Sequence, residues 1–166
     1  MNTESEMILK IILTGLGATL LMDLWALLLK RIFNIQSLNW AMVGRWIGHM
    51  QSGRFRHDSI AKASPIKGEL QIGWLAHYAS GVFFAALLTA IAGPEWLTQP
   101  VALTTILFGI ATVVFPFLMM QPSMGAGLAA SKTPNPKQAR LRSLMTHTVF
   151  GVGLYGAALC LSFLYR

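Results

Sequence analysis

Four separate stretches of about 20 mostly apolar residues constrain this chain more than any other feature, because each can cross a bilayer as a helix. They cover residues 8–29, 70–92, 101–120 and 143–165. Inside lipid a backbone must satisfy its own polar groups, so runs of this length predict an all-α membrane protein. Composition supports that reading: 11% of the residues are charged, against about 25% in soluble domains. The 166 residues suit a single four-helix transmembrane domain, residues 1–166, built as two helical hairpins, with no room for a separate soluble module.

The net charge of +7 is concentrated in two loops. Loop 30–69 carries Lys30, Arg31, Arg45, Arg54, Arg56, Lys62 and Lys67, and loop 121–142 carries Lys132, Lys137, Arg140 and Arg142. The other side offers Lys10 and Arg166, beside Glu4, Glu6 and Glu95. The positive-inside rule therefore predicts that both basic loops are cytoplasmic and both termini lie on the outer face. Orientation accounts for the basic balance, so no nucleic-acid partner is inferred. The opening "MNTESEMILK" lacks the basic n-region of a cleavable signal, and the first run is expected to be a retained span. The single Cys160 sits in an apolar run with no partner, which implies neither a disulfide nor a cysteine metal motif.

Loop 30–69 has an internal pattern. In "SLNWAMVGRWIGHM", Trp40, Val43, Ile47 and Met50 recur at helical spacing, with Arg45 and His49 off that face. Trp40 and Trp46 are of the type found at membrane interfaces. A short amphipathic helix is expected, on the cytoplasmic surface or tucked under the bundle. A short internal repeat also stands out. "HYASGVFFAALL" in the second run and "HTVFGVGLYGAAL" in the fourth both read His-x-x-x-Gly-Val. Two hairpins of like orientation would make a parallel repeat about an axis along the membrane normal.

The ionisable residues inside the runs carry the functional question. Counting 1.5 Å per residue from the basic ends puts Asp23 about 10 Å inside and His77 and His147 about 6 to 11 Å inside. Gly15, Thr19 and Asp23 are four apart, as are Gly73, His77, Gly81 and Ala85, and Ser143, His147, Gly151 and Tyr155. Small residues at that spacing let membrane helices approach closely, so these stripes should face one another. A buried charge costs at least about 2.5–3.5 kcal/mol at the bilayer centre, so Asp23 needs a reason to be there. One reason is a proton-handling or ligand site formed with the histidines, whose ionisation falls near neutral pH. The other is fastening, although interhelical hydrogen bonds average only about 0.6 kcal/mol.

Three loop residues join the candidate list. Glu69 opens the second run, where a carboxylate suits a helix N-terminus. Arg45 is placed to pair with Asp23 or Glu69 if the loop helix folds under the bundle, and His49 lies one turn further on. For a metal, His77, His147 and Asp23 offer suitable ligand types, but no dedicated motif such as H-E-x-x-H or C-x-x-C accompanies them. No cofactor is firmly implied, and the identity of a small-molecule or ion ligand is not legible. "GAGLAASKT" is no phosphate-binding loop, since Ser131 stands where Walker A needs glycine before Lys132. A lipid-directed enzyme lacks a recognisable nucleophile and base, so the chain reads more readily as a non-enzyme.

Taken together, "GATLLMDLWA", "VGRWIGHMQSGRFRH", "GWLAHY", "QPSMGAGLAASKTPNP" and "RLRSLMTHTVFGVGLYG" resemble an uncharacterised bacterial family, domain of unknown function 2938. The resemblance spans most of the chain and implies a four-helix protein of the bacterial inner membrane. That family carries no assigned activity, so no catalytic roles come with it. The leading expectation is a transport-related, ligand-handling or proton-handling membrane protein. The alternative is a structural or accessory subunit in which the polar residues only fasten helices. The bilayer is the implied partner. Four helices leave little interior for a pore, so a transport path would call for a homo-oligomer.

Overall fold

A computed structural model describes residues 3–164. Tyr165, the end of the fourth expected span, and Arg166 lie outside them. Among the described residues all regular structure is helical. The longer helices are α1 (Thr3–Phe33), α2 (Trp40–Met50), α3 (Glu69–Ala92), α4 (Ala102–Ala111) and, after a broken stretch, α6 (Pro136–Leu164). A three-residue turn, α5 (Gln121–Ser123), lies between α4 and α6. Four segments are long and apolar enough to cross a membrane: Glu4–Phe33, Glu69–Ala92, Ala102–Ser123 and Pro136–Leu164.

Local chemistry sets the helix ends. The Asn39 side chain accepts the Ala41 N–H at 3.0 Å and starts α2. Asn135 does the same for Gln138 at 3.2 Å, with Pro136 in the first turn, where its missing N–H costs nothing. Proline acts differently inside the third span. Pro116 cannot donate to Thr112, and the helix widens over Pro116–Met120 into a π-turn in which the Gln121 N–H reaches back to the Pro116 carbonyl.

The described residues form two compact units. The first holds residues 3–36, Tyr78–Thr112 and residues 145–164. Its α1 has reversed polarity: Thr14, Gly15, Ala18 and Thr19 are buried, while Leu16, Leu20 and Leu24 are exposed. A helix that shows leucine outward and hides its small polar face is built for lipid. The buried centre is aromatic. Phe84 meets Phe108 and Phe150 edge to face, with ring centroids 6.5 and 6.1 Å apart. Leu88, Leu97 and Leu154 fill in around them. At one end the Trp96 indole N–H donates to the Thr89 hydroxyl at 3.1 Å, satisfying both buried groups.

Glycine decides how closely the first unit's helices approach. A Cβ on Gly15 would strike the backbone of Gly81 and Val82, so α1 and α3 touch there main chain to main chain. A Cβ on Gly109 would strike Gly151 in the same way, bringing α4 against α6.

The second unit holds Ser37–His77 and Val113–Leu144. Here α2 lies on the start of α3, since a Cβ on Gly44 would meet the Glu69 carbonyl and one on Gly73 the Trp40 carbonyl. The connector after α2 is paired with the 121–125 stretch: the His57 N–H donates to Ser123 O at 2.8 Å and the Ile60 N–H to Met124 O at 3.0 Å. Gly125, at φ +93°, abuts the Asp58 carbonyl, a place no side chain could occupy.

Candidate functional site

In the first unit the two intramembrane ionisable groups of interest each have a hydroxyl partner. Asp23 is half-buried near the end of the small-residue stripe of α1. Its Oδ2 accepts the Tyr78 phenol at 2.8 Å. Tyr78 follows His77 directly in α3, and its sequence position gives no sign of this role, because a tyrosine in a span is ordinarily an interfacial residue.

His147 meets Thr112, with Nδ1 and Oγ1 2.7 Å apart. The threonine hydroxyl also lies 2.6 Å from the Gly109 carbonyl, to which it donates its one hydrogen. The Thr112 oxygen is therefore the acceptor toward His147, which must carry its proton on Nδ1 and present a lone pair at Nε2 when neutral. As a threonine in an apolar run, Thr112 gives no sign in the sequence of such a contact. Its position one turn from Gly109, the close-approach point, is what brings it to the imidazole.

The second unit contains the other candidates. His77 is buried and stacked on Trp40, with centroids 3.9 Å apart and planes 25° from parallel. Trp74 stands 5.7 Å from both rings. Trp74 and His77 are three apart on one helix, so their pairing was readable from spacing. Trp40 arrives from α2 and was not.

Arg45 and Glu69 form a two-pronged ion pair, Nε to Oε2 at 2.9 Å and Nη2 to Oε1 at 2.8 Å. Both side chains are largely buried. The third guanidinium nitrogen reaches the carbonyls of Ala63 at 3.1 Å and Ile60 at 3.3 Å. Glu69 also accepts the Ile66 N–H at 3.1 Å, closing the turn that leads into its own helix. Arg45 thus ties α2, the connector and α3 together. Hydrogen bonding to Glu69 raises its pKa further above the ordinary value, against the opposing effect of burial. Of the two carboxylates open to it in the sequence, Glu69 is one it binds.

His49 bonds to His57, Nδ1 to Nε2, at 2.8 Å, and its own Nε2 lies 3.0 Å from the Ser64 carbonyl. His57 is buried. Burial, with Arg54 and His49 close by, lowers its pKa below the usual histidine value, while the Ser123 carbonyl and Asp58 pull weakly the other way. Its Nδ1 is buried without a hydrogen-bond partner. The pair is eight residues apart across a glycine turn, a spacing no sequence rule connects. Nearby, the buried Trp46 indole donates to Phe55 O at 2.9 Å.

Among the described residues, no group of three or more His, Cys, Asp or Glu side chains is placed to hold a metal ion. A family model described as a protein of unknown function, DUF2938, matches residues 12–161. No curated protein and no solved structure matches the chain.

Proposed function

The chain belongs to the DUF2938 family, whose function is unknown, and from its own residues we propose that it is a small membrane protein that handles protons or a small ligand at Asp23. The supporting observation is the Asp23–Tyr78 contact at 2.8 Å. A carboxylate in a span is expensive, and it is held here by a phenol that can also donate and accept protons. His147, anchored through Thr112, supplies a second titratable group in the same unit. The site lies in a bacterial inner membrane with both termini outside, a reading supported by the eleven basic residues of loops 30–69 and 121–142.

Two hairpins of like orientation are part of this proposal. The His-x-x-x-Gly repeat supports them, because its glycine does the same work twice. Gly81 of α3 packs on Gly15 of α1, and Gly151 of α6 packs on Gly109 of α4. A transport path would be completed by self-association, since four helices enclose little space.

Asp23→Asn in proteoliposomes tests the reading, with an internal pH dye and a panel of ion gradients. Loss of a flux shown by the native protein, with thermal stability retained, supports a working carboxylate. Retained flux removes it. The alternative is a structural subunit, favoured by the glycine contacts that already bring the helices together. It predicts instead that Asp23→Asn lowers stability and changes no flux.

A further inference from the structure

The hydrogen-bond directions around His49 and His57 can be assigned atom by atom. A carbonyl only accepts, so His49 Nε2 carries the hydrogen that points at Ser64 O, 3.0 Å away. Neutral His49 then has a bare Nδ1, and the 2.8 Å contact must be a donation from His57 Nε2–H. Neutral His57 in turn has a bare Nδ1, which is the buried atom with no partner. The order is one-way: His57 donates to His49, and His49 donates to the backbone at Ser64. It joins α2 to the middle and the far end of the connector.

A proton has no good place to go in this arrangement. On His57 Nδ1 it would create a buried N–H lacking an acceptor of good geometry, on a cation beside Arg54. On His49 Nδ1 it would confront the hydrogen of His57 Nε2, two donors head to head. Passing it on to His57 only recreates the first case. The groups facing the pair offset this only in part. Glu69 of α3, already bound by Arg45 of α2, attracts charge on His49, and the exposed Asp58 and the Ser123 carbonyl, which also accepts the His57 backbone N–H, attract charge on His57, but burial and Arg54 outweigh them there.

We propose that the His49–His57 pair is a proton-operated clasp, which holds the 51–64 connector against α2 while both rings are neutral and releases it when the pair takes up a proton. Release also frees the Trp46 indole from Phe55 and the His57 and Ile60 amides from Ser123 and Met124. The device is independent of the proposed role of Asp23, since every residue in it lies in the second unit.

Hydrogen–deuterium exchange of the purified full-length protein in detergent tests it. Peptides covering residues 51–64 are followed from pH 8 to pH 5 with intrinsic chemical rates divided out. Protection is expected to fall at least about fivefold below pH 6.5, each unit of pKa separation between open and closed forms being worth tenfold. His57→Gln, neutral throughout, should give a flat profile. A flat profile in the native protein, or an unchanged slope in His57→Gln, overturns the proposal. Should that variant fail to fold, ¹⁵N-histidine spectra of the native protein at pH 8 decide. Nε2–H tautomers on both rings support the clasp, and an Nδ1–H on either overturns it.

Discussion

Two helix contacts in this protein begin alike and end differently. Where α4 meets α6, Gly109 and Gly151 let the backbones touch, and the surroundings are Phe84, Phe108, Phe150 and Leu154. Where α2 meets α3, Gly44 and Gly73 also let the backbones touch, but Arg45 and Glu69 then complete the join, and two histidines tie α2 to the adjoining connector. Hydrocarbon gives membrane helices no hydrophobic drive to associate, so close van der Waals packing must suffice. A connector and short helix between spans are joined instead by directional bonds, strong but dependent on charge. The first contact should therefore be sensitive to volume and the second to protonation and pairing.

Volume gives the largest expected effect. Gly151→Leu forces a side chain into the Ile106 backbone, and the loss should reach the upper end of overpacking costs, about 3 kcal/mol. Gly156→Leu, with nothing within 4 Å of its Cβ position, should leave the thermal unfolding midpoint nearly unchanged. If both variants unfold alike, the close contact is not what holds α4 to α6.

Pairing comes next. Arg45→Met alone leaves the Glu69 carboxylate largely buried without its guanidinium, and should lower the unfolding midpoint clearly. Arg45→Met with Glu69→Met should recover most of that loss, because a buried pair removed whole costs far less than a pair broken. A double variant as unstable as the single one would mean that the carbonyl contacts of Arg45, not its ion pair, do the holding.

Two smaller effects sharpen the contrast. Thr89→Val in the first unit strands the Trp96 indole and should cost about 1 kcal/mol at every pH. The second unit should respond to acid. The folded His57 pKa is lowered, so between that value and the ordinary 6.5 the unfolded chain binds more protons. Its contribution is full above pH 6.5 and is lost as pH falls through the folded value. The unfolding midpoint of the native protein should drop on acidification, and that of His57→Gln should drop less.

The first unit was largely legible in the sequence and the second was not. Long apolar runs and stripes such as Gly15–Thr19–Asp23 follow from helical geometry and the chemistry of lipid, both local rules. The partners of Asp23 and His147 required knowing which hydroxyls the close-packed helices bring near, and Tyr78 and Thr112 looked ordinary in the chain. The wide turn at Pro116–Met120 was hidden because a proline in a span is tolerated and gives no sign of how the backbone will adjust. Arg45 with Glu69 was one of two pairings open to a loop helix. His49 with His57 depends on a turn at Gly53 and on a wall supplied by residues 121–125, neither of which leaves a periodic trace.

The Thr112 contact limits what His147 can do with a proton. An imidazole that conducts must take a proton at one nitrogen and release it from the other. Here Nδ1–H points at an oxygen whose own hydrogen is committed to Gly109 O, and a backbone carbonyl passes nothing on. Traffic at this ring must enter and leave through Nε2, which makes His147 a reservoir on a side branch and not a link in a wire.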